Sequence, residues 1–138
     1  MTTLKNLKGT AIQFLDADPV VYAGSWSSGG ALNTARSQQG GAGTQTSALM
    51  FGGDSYPPTS GRVQAVTESY NGTAYTEVGD LNTARRVTSG AGASNTSAIC
   101  VGGYTGTTYT GETETWNGSS WTEVADLNEG RSNLASVG

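Results

Sequence analysis

The chain has 138 residues, the length of one ordinary domain, with 35% hydrophobic and 13% charged residues, 21 glycines and no histidine. Glycine and β-branched threonine both weaken helices, which excludes a helical bundle in favour of short strands joined by tight turns. A formal net charge of -4, with the 7 basic residues scattered, excludes a nucleic-acid footprint, and no apolar run approaches the roughly 20 residues of a membrane-inserted helix.

In chain order, residues 1–19 lie outside any repeat and read as an N-terminal arm with Leu4, Leu7, Ile12, Phe14 and Leu15 available for docking on a neighbour. They contain no continuous apolar stretch of the kind a secretory signal uses. Asp16 and Asp18 lack the further spaced oxygens of a calcium loop and read as a turn before Pro19. Residues 20–31 read as a partial unit in which Trp26 stands as far before Leu32 as Tyr75 stands before Leu81 and Trp121 before Leu127.

The phrase "ALNTARS" at Ala31 returns as "DLNTARR" at Asp80 and as "DLNEGRS" at Asp126. The spacing, in the high forties, is that of a propeller blade. Residues 32–80 and 81–126 then form two full units and 127–138 the first strand of a further one.

Each unit divides into four strands. The first follows the arginine, over Arg36–Ala42 and Arg85–Ala91, and is small and glycine-rich. The second is the apolar run closing on a glycine pair, Ser47–Gly53 and Ser97–Gly103. The third covers Val63–Tyr70 and Gly111–Trp116, the fourth Ala74–Val78 and Ser120–Val124, with Asn71-Gly72 and Asn117-Gly118 as the hairpin turns between them. Cys100 reads as a buried free thiol inside the second apolar run.

These features resemble the kelch-type repeat. Gly52 and Gly53 with Tyr70, Tyr75 and Arg36, and Gly102 and Gly103 with Trp116, Trp121 and Arg85, carry the resemblance; Arg131 repeats the arginine once more. It implies an all-β fold of kelch-like β-propeller blades, each a four-stranded antiparallel meander. The wording "LNTAR", "GAGTQTSAL" and the opening "LKNLKGTAIQFLDADP" also look like repeats in structural proteins of marine tailed phages. That similarity implies a virion component.

Two full blades and two fragments cannot close a ring, since propellers use about four to eight blades. Either copies share a ring as a homo-oligomer, or the sequence belongs to a longer polypeptide.

Chemistry has few candidates. Without histidine, the copper-radical oxidases built on kelch propellers are not a source of activity for this chain. Glu68 and Glu114, like Glu77 and Glu123, are one position written twice and read as structural partners of Arg36, Arg85 or Arg131 between neighbouring blades. No catalytic residue, metal ligand or cofactor site is expected. Differences between the units are more informative. The loop after the second strand is "DSYPPTSGR" at Asp54 and "YTGTTYT" at Tyr104, which puts Tyr56, Arg62, Tyr104 and Tyr109 forward as partner-binding residues. The expectation is a non-enzymatic structural or binding module of a phage tail, fibre or capsid decoration, contacting other virion proteins and a host glycan or surface protein. A cytoplasmic kelch-type adaptor is the alternative reading and a glycan-active enzyme the third.

Overall fold

The computed structural model describes residues 27–55 and 62–136. The arm over 1–19, Trp26 with most of the partial unit, and Tyr56 lie outside the described residues. Among the described residues the fold is all-β and contains no helix.

Ten strands follow in order: β1 Arg36–Ser37, β2 Gly40–Thr44, β3 Ser47–Phe51, β4 Asp54–Ser55, β5 Thr67–Tyr70, β6 Tyr75–Glu77, β7 Ser89–Ser94, β8 Ser97–Tyr104, β9 Tyr109–Trp116 and β10 Trp121–Glu123. They form two four-stranded antiparallel sheets, β2-β3-β5-β6 and β7-β8-β9-β10, and a short β1-β4 pair. Both large sheets run as meanders, which is compatible with a blade-like unit.

Local chemistry sets these boundaries. Gly52 and Gly102 take φ of 64° and 58°, and Gly53 and Gly103 take 113° and 125°. A Cβ on Gly52 would meet the Arg85 carbonyl at 2.4 Å, so the backbone that crosses there admits only glycine. At the other end of each sheet Asn71 and Asn117 open four-residue turns. The Asn71 Oδ1 accepts from the Thr73 and Ala74 amides, both at 3.0 Å, while Gly72 supplies a φ of 93°.

The first strands begin later than their sequence suggests. β2 starts at Gly40 and β7 at Ser89, whereas Arg36–Ala42 and Arg85–Ala91 read as continuous. Gln38 and Val87 have φ of 58° and 56°, and this left-handed step breaks the ladder. The residues before the break pair elsewhere, Arg36–Ser37 with Asp54–Ser55 and Arg86 with Tyr104.

The core lies between the two sheets. Leu49, Phe51, Leu81, Ala98, Cys100, Trp116 and Trp121 are its buried members. Phe51 of the first sheet meets Trp121 of the second edge-on at 4.9 Å, and the Trp121 Nε1 donates to Thr67 Oγ1 at 3.0 Å. Asn95, at the tip of the β7–β8 hairpin, donates from Nδ2 to Ser69 Oγ and to the Tyr70 carbonyl, and accepts from Ser47 Oγ at 2.9 Å. Burial pushes the Cys100 thiol up to about 11, the behaviour of a packing residue.

Candidate functional site

The repeated arginines sit in the corners. Leu81 and Arg85 donate their amides to the carbonyls of Ala65 and Gln64, just before β5 of the first sheet, and the Gly53 amide donates to the Arg85 carbonyl. The Arg85 side chain crosses to the second sheet, where Nη2 is 2.6 Å from Glu114 Oε1 and Nη1 is 3.1 Å from Glu112 Oε2. Asn82 completes the clamp by donating its amide and its Nδ2 to Glu114 Oε2. One joint thus ties backbone to one sheet and charge to the next.

Arg36 repeats the arrangement with Glu68, and both side chains are fully buried. Burial pushes the Glu68 carboxyl up, but donors from Asn33, Arg36 and Thr34, together with the Arg36 charge, outweigh it and hold it below the ordinary glutamate value. Arg131 follows the backbone half of the pattern, with its amide on Thr110 and its carbonyl on Gly103. Its side chain is half-exposed, 3.7 Å from the exposed Glu129. Glu77 and Glu123 are exposed.

The non-repeated residues gather on the loop face. Tyr104 and Tyr109 pair across the end of the β8–β9 hairpin with ring centroids 5.1 Å apart, and Tyr109 is 59% exposed. The Arg86 guanidinium lies 5.3 Å above the Tyr104 ring. Beside them opens a groove of about 630 Å³ whose lining includes Gln38, Arg86, Val87, Tyr104, Tyr109 and Asn133.

Gln38, Val87 and Asn133 are the same position of three successive repeats, and all three have positive φ. They are joined through the main chain: Val87 donates to the Gln38 carbonyl at 2.8 Å and Asn133 to the Val87 carbonyl at 3.3 Å. A valine held in this region is strained, and such strain gathers at functional positions.

Arg62 stands apart from Tyr104 and Tyr109 in its chemistry, because its Nε pairs with both carboxylate oxygens of the buried Asp54. Arg86 Nη1 reaches the same carboxylate at 2.7 Å and the Gln38 side chain at 3.0 Å. Two guanidinium groups thus share one carboxylate, and of the three charged groups Arg86 lines the groove. Sequence reasoning missed Gln38, Asp54, Arg86, Val87 and Asn133. Arg86 carried a readable signal, since serine occupies its place in the other copies of the phrase, at Ser37 and Ser132. Among the described residues no three acidic, histidine or cysteine side chains gather as a metal set.

A scan against protein-family models finds none that matches the chain, and a search of curated proteins finds no match.

Proposed function

We propose that the chain is a kelch-like β-propeller segment serving as a non-enzymatic structural and binding module of a phage virion, in a tail, fibre or capsid decoration, with its loop face turned to a host-surface glycan. The groove beside Tyr104 and Tyr109 carries this reading. It joins two phenol rings, tilted against each other, to amide, hydroxyl and guanidinium groups at the place where the two repeats differ most. Aromatic faces pack on the apolar faces of sugar rings, while amides and hydroxyls satisfy the ring hydroxyls. The sheets supply a repeated frame and the loop supplies the particular contact.

Two further features support a role without catalysis. Glu68 and Glu114 are engaged by arginines in the corners, far in kind from a free acid–base pair, and Asp54 is shared between Arg62 and Arg86. The virion assignment rests on the phrase-level similarity to phage structural repeats.

A glycan array probed with the full chain tests the binding reading. A restricted set of glycans should be retained, and Tyr109→Ala should lose it while folding normally. An array blank for the unmodified chain counts against it. Release of reducing sugar from a retained glycan would favour the enzyme reading instead.

A further inference from the structure

Repetition makes the two sheets an internal control for each other, and their burial differs in a systematic way. Alternate residues of each sheet face opposite sides. On the first sheet, Leu49 and Phe51 point toward the second sheet and are fully buried, whereas their counterparts Ile99 and Val101 on the second sheet are half-exposed. On the opposite side the pattern reverses. Ala98, Cys100, Trp116 and Trp121 of the second sheet are buried, and their counterparts Ala48, Met50, Tyr70 and Tyr75 of the first are half-exposed. Leu81, in the joint between the sheets, is 4% exposed, while Leu32 and Leu127 in the flanking joints are half-buried.

Each difference follows whether another sheet of the described residues packs on that side. The side of the second sheet on which no other sheet of the described residues packs has a groove of about 360 Å³ lined by Ala91, Ser97, Ile99 and Thr115 among others. The corresponding surface of the first sheet, around Leu49, Ser47 and Ser69, receives Asn95 at the tip of the β7–β8 hairpin. Gln45, exposed at the tip of the β2–β3 hairpin, is the counterpart of Asn95.

We infer that a second copy of this chain docks in that groove head to tail, repeating between chains the contact made within one. Its Thr44–Thr46 hairpin enters between Ile99 and Thr115, and its Tyr75 takes the place over Thr113 that Trp121 takes over Thr67. The short run 132–136 lies along the inner edge of this side, held by the 2.6 Å contact of Ser136 Oγ with Ser89 Oγ and by the Asn133 amide. The second copy's own joint, with Arg36 on Glu68, takes the place that Leu127–Arg131 holds against Gly111 and Gly103, so the run from Leu127 to Ser136 is displaced and Gln38 of the second copy replaces Asn133 in the main-chain hydrogen-bond run.

Such an interface is heterologous, so each copy offers one donor side and one acceptor side. This inference rests on the propeller-segment part of the proposed function, and not on glycan binding. Its experiment reads mass, so failure on the array and failure here are separate results.

The test is light scattering of the full chain over a range of concentrations, with Ile99→Asp on one side and Tyr75→Asp on the other. Both positions are half-exposed, and circular dichroism reports whether each variant keeps its strands; Thr115→Arg and Met50→Asp are replacements if either does not. The unmodified chain should form species above the monomer. Each variant alone should be monomeric, and an equimolar mixture of the two should give dimers and nothing larger, because only one intact pair of sides remains. A monomer at every concentration overturns the inference. So does unchanged assembly of either variant, as does a mixture that stays monomeric.

Discussion

Glu68 shows at the scale of one residue how this chain spends its few charges. Its carboxyl is held below the ordinary value of 4.5, so the folded protein binds its proton less tightly than the unfolded chain does. The resulting stabilisation is full above that value and is lost as pH falls through the lower folded one. Denaturant midpoints measured on the acid side should therefore fall for the unmodified protein and fall less for Glu68→Gln. Removing the partner altogether leaves Arg36 buried and unpaired, and Glu68→Ala should cost about 3–5 kcal/mol near neutral pH. Val87 runs the other way. A β-branched side chain at a φ of 56° is strained by about 1–3 kcal/mol. Val87→Asn, the residue used at Asn133, should raise the melting temperature by several degrees.

At the scale of elements, the sheets meet where β2 packs closely on β7, and one hairpin tip and one indole add specific side-chain contacts across them. Trp121→Ala removes the ring that meets Phe51 and the donor to Thr67, and should cost about 3–5 kcal/mol. Asn95→Ala, which leaves Ser47 and Ser69 without their partner, should cost about 1–3 kcal/mol. Urea titrations of the two variants would order them.

The sheets were the legible part of the sequence. Glycine pairs, Asn-Gly turns and period-two alternation are local, and they place β3, β5, β8 and β9 within a few residues, although β5 starts at Thr67 where the pattern suggests Val63. The pairing of a repeated glutamate with a repeated arginine was legible as well. The late start of β2 and β7 was not, because nothing in the residue type of Gln38 or Val87 announces a positive φ. The loop-face groove was half legible: Tyr104 and Tyr109 stand out by their difference from the other repeat, but the Arg62–Asp54–Arg86 cluster exists only once the joint has brought Arg86 beside β4.

For the whole molecule, the two open sides are made of Ala48, Met50, Tyr70 and Tyr75 at one end and Ser97, Ile99, Val101 and Thr115 at the other. On the first side Glu68 is neutralised by Arg36 and Glu77 is an exposed carboxylate, while the second side, among the described residues, carries no charge to pair with it. Association through them should persist or strengthen as salt is added, unlike contacts made by exposed ion pairs. Sedimentation at low and high ionic strength checks this, with dissociation by salt the contrary result.

The joint also has a temporal side. Arg85 precedes its counter-ion Glu114 by 29 residues, so a nascent chain emerges from the ribosome with the cation before the anion. Until the later carboxylate arrives, the corner holds a solvated guanidinium and cannot shut. Biosynthesis itself thereby sets the sequence of closure, with each layer sealed only by the arrival of its successor.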